Sequence, residues 1–269
     1  MPLPRFGFEA EFNTDITPLV VPLYNGGFAT TTEVHPWHCH CDTCDFRRIR
    51  AFHFQTDSSC GGEVITRIFD STGAAFTDAC YALQKAAVDH DVEPGQRAGF
   101  HVHVETAHVP AHLRILAFGN FRRWEGTLMG IGGGVVTTNR GFNQSLANEL
   151  CEFDMHSDSE AFDYHYDNDR HSNLCVSTEH GTWEFRLWNS TRSAWRMRLY
   201  VQLSRLWLAE ADAIAGIANP RSPYDYDGGS ARDLADCLHN LGHFTAAADL
   251  RRQLDYRETA QRHWPQLTV

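Results

Sequence analysis

The chain has 269 residues, 42% of them hydrophobic and 21% charged, which is ordinary globular composition with ample apolar material for a large core. Acidic residues outnumber Lys and Arg by 34 to 23, and the resulting net charge of −11 argues against a broad nucleic-acid footprint. No stretch approaches the roughly 20 consecutive apolar residues of a spanning helix. The opening MPLPRFGFEAEF carries two glutamates where a secretion signal has its apolar region, so a cytoplasmic location is expected.

In chain order, residues 5–12 (RFGFEAEF) alternate strictly. Phe6, Phe8, Ala10 and Phe12 fall on one side, with Gly7, Glu9 and Glu11 on the other, a period of two that predicts a strand. Residues 25–62 read as irregular and hold a Cys/His cluster, and GGEVITRIF (61–69) reads as a second strand. Phe76, Ala79, Leu83, Ala86, Ala87 and His90 recur at helical spacing, and Pro94-Gly95 marks a turn. FHVHV (100–104) alternates again. After Pro110 comes an amphipathic helix with Leu113, Leu116, Ala117, Phe121, Trp124 and Leu128 on one stripe, ended by the glycines of 130–134. CVSTEHGTWEFRLW (175–188) predicts a hairpin turning near Glu179–Gly181, followed by one long helix over about 193–217 and two short closing helices. Strands and helices mix without a regular βαβ beat, which predicts an α+β fold in a single domain, 1–269.

Three of these strands place charged or imidazole groups two residues apart and so on one face each: Glu9 and Glu11, His101 and His103, Glu184 and Arg186. Their alternate positions are almost entirely apolar. If the strands share a sheet, one face is hydrophobic and backed by helices, and the other gathers carboxylates, imidazoles and a guanidinium. The wet face of an ordinary half-buried sheet is the simpler explanation for any one strand. Such a face usually carries Thr, Ser, Lys and Gln, however, whereas these positions hold only metal- and phosphate-competent groups. Packed carboxylates repel one another unless divalent cations neutralise them, and oxygen ligands with an imidazole suit Mg or Mn.

The run GFEAEF resembles the opening Glu-x-Glu strand of the glutamine synthetase superfamily. GFHVHV is similar to its Gly-x-His-x-His strand, and GTWEFRLWNST to its late Glu-x-Arg strand. DSSCGGEV (57–64) resembles the Asp-x-Ser segment with a following ligand Glu found in the smaller carboxylate–amine ligases. The motifs occur in the family's order across residues 6–191, and the resemblance is strongest to the amidoligase group. It implies a curved antiparallel sheet of the glutamine synthetase catalytic type with helices on one face. It also implies an ATP- and Mg-dependent (or Mn-dependent) ligase that makes an amide bond through an acyl phosphate. Carried over residue by residue, Glu9, Glu184 and His101 would hold one cation, and Glu11 and Glu63 the second. Arg186 would face the transferring phosphoryl group, and His103 the nucleotide or substrate. Arg170 and Asn173, in RHSNLCV, and Arg140 and Asn143, in TTNRGFNQS, are similar candidates for phosphate or substrate carboxylate. Asp57 is the candidate acceptor of the proton an incoming ammonium must lose. Lys85 is the single lysine and no GxxxxGK[ST] pattern occurs, so phosphate handling falls to arginine, metal and backbone. The implied partners are small-molecule or peptide carboxylates and amines.

HPWHCHCDTC supplies His35, His38, Cys39, His40, Cys41 and Cys44 within ten residues. Cys41-x-x-Cys44 has the spacing of a zinc knuckle, which predicts a zinc-binding insert at about 33–60. The first choice of ligands for this structural zinc is His38, Cys39, Cys41 and Cys44, with His35, His40 and Cys60 as further sources. Cys80, Cys151, Cys175 and Cys237 read as small core residues. Two other functions fit parts of the pattern. One is a zinc hydrolase using His101 and His103 beside Glu9 and Glu11, against which Arg186 speaks. The other is a non-enzymatic module whose cysteine loop binds a partner, against which the clustered charge of three strands speaks.

Overall fold

A computed structural model describes residues 2–36, 39, 49–57, 60–95, 98–132, 174–177, 181–217 and 229–263. Among these residues the fold is α+β, built on a six-stranded antiparallel sheet. In chain order the elements are β1 (Phe6–Phe12), α1 (Thr17–Asn25), β2 (Phe52–Gln55), β3 (Gly62–Thr66), α2 (Ala74–Asp89), β4 (Gly99–Glu105), α3 (Ala111–Ile131), β5 (Leu174–Ser177), β6 (Thr182–Asn189), α4 (Ala194–Ala209), α5 (Ala211–Ile217), α6 (Ala231–Asn240) and α7 (Phe244–His263). The spatial order β2-β3-β1-β4-β6-β5 puts β1 and β4 at the centre.

The predicted alternation of β1, β4 and β6 creates two unlike faces. Phe6, Phe8, Phe12, Phe100, Val102, Val104, Trp183 and Phe185 are all buried on the apolar side, where α4 packs on β1 and β4 and α3 packs on β6. Phe8 stacks on Phe100 with centroids 4.7 Å apart, and Phe6 meets Phe76 of α2 edge-on at 4.9 Å. Aromatic pairs of this kind add to plain area burial. Arg205 of α4 is only 2% exposed yet well satisfied. It donates to the carbonyls of Pro4 (2.7 Å), Asp70 (3.1 Å) and Leu3 (3.3 Å), and lies 4.6 Å over the Phe6 ring.

Several local details depart from the sequence reading. Helix α1 falls in a stretch, 13–24, to which the sequence reading assigned no element. Asp15 accepts from the amide and hydroxyl of Thr17, Pro18 sits in the first turn, and Leu19, Val20 and Leu23 are buried. The start signal was present, but Pro22 within the helix disguised the pattern. Strand β2 lies within the stretch read as irregular. The helix expected over 193–217 divides at Glu210, beyond which α5 turns so that buried Asn120 caps the Ala211 carbonyl at 2.8 Å. The last helix is 20 residues long rather than short. In β6, Arg186 and Leu187 together oppose the single residue His101, because Phe100 pairs with Trp188 and Val102 with Phe185. This bulge lets Trp188 rejoin the apolar side, stacking on Tyr200 at 4.8 Å, while Arg186 stays with the charged groups. At the start of β3, Gly62 has φ +146, and a Cβ there would lie 2.7 Å from Ile16, so a side chain at this entry to the sheet is excluded.

Candidate functional site

The second face of the sheet collects the polar residues of four strands. β1 brings Glu9 opposite Ile65 and His101, and Glu11 opposite Glu63. β4 brings His103 opposite Glu184 of β6. A solvated face was the simpler alternative for any one strand, but Glu11, Glu63, His101 and Glu184 are all less than 8% exposed. Ionisable groups at such depth are retained only when paired or bound to metal.

His101 sits at the middle of the group. Its Nδ1 lies 3.3 Å from Glu9 Oε2 and 3.4 Å from Glu184 Oε1, and its Nε2 lies 3.4 Å from Glu11 Oε1. His103 Nε2 lies 3.2 Å from Glu9 Oε1 and 4.0 Å from Glu184 Oε1. Arg186 forms a close ion pair with Glu184, and Glu11 accepts from the Gly99 amide. Two sets of ligand-competent atoms converge, each within 4.8 Å of one another: Glu9, His103 and Glu184 in the first, Glu11, Asp57 and Glu63 in the second. The imidazole grouped with Glu9 and Glu184 is thus that of His103, with His101 bridging the two sets. Asp57, which follows β2, joins Glu11 and Glu63.

Electrostatics show how strained this gathering is without cations. Burial first, then the charges of Glu9, Asp57, Glu11 and Glu184, push the Glu63 carboxyl up to about 9. Burial alone would lower His103, but Glu9 and Glu184 outweigh it and Arg186 together and lift the imidazole to about 9. Burial would raise Glu9, yet the charge of His103 and hydrogen bonds from both histidines hold it well below the usual carboxylate range. Arg186 is likewise opposed by burial, and the carboxylates of Glu184, Glu9 and Glu11 keep it firmly charged. Among the described residues, five carboxyl groups (Glu9, Glu11, Asp57, Glu63, Glu184) therefore face one permanent cation, Arg186, and protons on Glu63 and His103 make up part of the difference near neutral pH.

A pH dependence follows. Glu63 and His103 both have folded values above their ordinary 4.5 and 6.5. The stability they confer is complete below those ordinary values and is lost as pH rises towards about 9. A divalent cation must displace the same protons, so it binds better as pH rises. If the two carboxylate sets hold Mg, the rise in Tm that millimolar Mg produces is expected to be larger at about pH 8.5 than at about pH 6. An equal or smaller rise at the higher pH in differential scanning calorimetry would remove these two groups from cation binding.

Of the other residues singled out in the sequence, His38, His40, Cys41, Cys44, Arg140, Asn143, Cys151, Arg170 and Asn173 lie outside the described residues. Cys39 is described, with its Sγ 3.7 Å from Nδ1 of His35. Cys60 stands apart from that pair, donating to the Gly62 carbonyl at 3.4 Å. Burial, then the charge of Glu11, push its thiol up to about 12. His53 and Gln55 were missed. They lie on the same face, opposite Ile65 and Glu63, and both are buried. The signal was available in FHFQ (52–55), which alternates as the other strands do. No protein-family model matches this chain, and no curated protein matches it.

Proposed function

We propose that this protein is an ATP- and Mg-dependent ligase of the glutamine synthetase-like, amidoligase type, joining a carboxylate to an amine. One observation carries the reading: two carboxylate-rich sets stand side by side on a single sheet face, with an arginine at their edge. A lone catalytic zinc has no use for the second, all-carboxylate set, whereas two oxygen-loving cations and a phosphoryl group use every residue present. When bound, ATP and Mg supply the phosphoryl group that turns a carboxylate into an acyl phosphate, which an amine then attacks with release of phosphate.

The chain's own groups have separate tasks in this scheme. Glu9, His103 and Glu184 hold the cation that neutralises the nucleotide phosphates, with His101 fixing their orientation. Glu11 and Glu63 hold the second cation near the acceptor carboxylate. Arg186 stabilises the negative charge that spreads over the transferring oxygens. Asp57, placed beside Glu11 and Glu63, takes the proton the amine must lose. Arg140, Asn143, Arg170 and Asn173, which lie outside the described residues, remain the sequence candidates for phosphate or substrate carboxylate. A structural zinc in the Cys/His run of residues 35–44 belongs to the same reading.

The decisive experiment uses a carboxylate labelled with ¹⁸O in a panel of amino-acid acceptors and amine donors, with Mg-ATP. A ligase of this type transfers one labelled oxygen into inorganic phosphate while ADP forms. Amide hydrolysis that persists without nucleotide would instead establish the zinc-hydrolase alternative, for which the mixed His103, Glu9 and Glu184 donor set is the supporting feature.

A further inference from the structure

Away from the carboxylates, the most enclosed histidine of the described residues is His53. It is 1% exposed, lies between Phe52 and Phe54, which are both fully buried, and pairs across the sheet with Ile65. Neither of its ring nitrogens has a hydrogen-bond partner among the described residues. Native proteins rarely leave a buried polar group in this condition unless an ion or another ligand completes it. A second imidazole stands beside it, with His35 ring and His53 ring centroids 4.9 Å apart. His35 is held there by its own backbone, donating to Phe54 O and accepting from Thr56 N, each at 2.9 Å. The Cys39 thiol reaches His35 Nδ1 at 3.7 Å.

Two separate stretches of chain thus bring His35 beside His53, and the Cys39 thiol beside His35, at the edge strand of the sheet; unlike the two carboxylate sets, their donor atoms do not all lie within 4.8 Å of one another, so an ion would draw them together. Such nitrogen and sulfur donors, with no carboxylate in the group, suit zinc and not Mg. We propose that His53, together with His35 and Cys39, binds a zinc ion against β2. This rests on the zinc reading given above and changes its ligand set: both imidazoles come from the β2 edge, in place of His38. It also gives the ion a task. Two residues beyond His53 along β2 is Gln55, which faces Glu63, and Asp57 follows. An ion clamping β2 to residues 35–39 would fix where Asp57 enters the second carboxylate set, making His53 a positioning residue for the site.

The test is metal content and chelator response in purified full-length variants. Wild-type protein is expected to carry about one zinc per chain, and a zinc chelator is expected to lower its Tm. His53→Phe keeps the shape and apolar surroundings. If His53 is only a core residue, it should be neutral or stabilising and keep its zinc. If His53 is a ligand, zinc content falls at least about tenfold and the chelator no longer shifts Tm. Full zinc in His53→Phe, with loss in a Cys41→Ser, Cys44→Ser double variant, overturns the His53 assignment while the zinc reading stands. No zinc in the wild type, before or after incubation with the metal, overturns both. Should His53→Phe not fold, zinc-edge X-ray absorption of the wild type decides the matter. Two imidazoles with sulfur at the metal support the proposal, and an all-sulfur shell overturns it.

Discussion

Replacing Glu184 by Gln is expected to lower Mg-dependent ATP turnover by roughly 10³-fold while leaving the fold intact. The amide keeps the volume of the carboxylate but removes a charge that faces His101, His103 and Arg186 at once. Arg186 does not become isolated, because Glu9 and Glu11 also hold its charge. With one fewer negative charge in a crowded, buried group, the cation-free variant should melt no lower than the wild type, and the Tm gain with Mg should shrink or vanish. That opposite movement separates loss of a ligand from general damage. Turnover within tenfold of wild type would remove Glu184 from the metal assignment. Glu9→Gln should behave alike, since Glu9 contacts the same two histidines.

The largest expected effect on stability comes from Arg205, far from the carboxylates. Burial lowers its guanidinium to about 10, which still leaves it charged at neutral pH. Its removal abandons three part-buried carbonyl contacts, to Leu3, Pro4 and Asp70, and the contact with Phe6. Charge-assisted hydrogen bonds are worth about 1.5–3 kcal/mol each and are not additive, so Arg205→Ala should cost about 4 kcal/mol. For a chain of this size that is a Tm decrease on the order of 10 °C. Arg205→Met keeps most of the packing and should recover part of the loss, which apportions the effect between packing and polar terms. Urea denaturation of both variants checks this. A change under about 1 kcal/mol in Arg205→Ala would mean that water replaces the guanidinium at those carbonyls.

The polar face was legible because the period of two in RFGFEAEF, FHVHV and TWEFRLW is strict and each apolar partner is large. Alternation fixes which side chains share a face, and here it put Glu9 with Glu11, His101 with His103, and Glu184 with Arg186 on one face of each strand. Strand pairing is a different matter, since it depends on residues far apart in the chain. Nothing local indicates that Glu11 stands opposite Glu63, or that Asp57 turns back to meet both. The bulge opposite His101 was hidden too, because a single extra residue leaves the flanking pattern nearly unchanged. His53 escaped notice for another reason. Four residues are too few to establish a period when histidines and cysteines crowd the sequence on one side.

The order in which the central strands occur along the chain has a consequence for biosynthesis. Glu9 and Glu184 meet through His101 and His103, yet they are separated by 184 − 9 = 175 positions. During translation Glu9 and Glu11 emerge first, Glu63 and the two histidines follow, and Glu184 arrives last of the group. A nascent chain truncated before β6 therefore offers an acidic patch lacking both Glu184 and the arginine beside it. In the proposed ligase, cations would consolidate the finished sheet without templating its first pairings, and a ribosome-bound intermediate is expected to be inert towards nucleotide until Thr182–Asn189 has zipped onto β4.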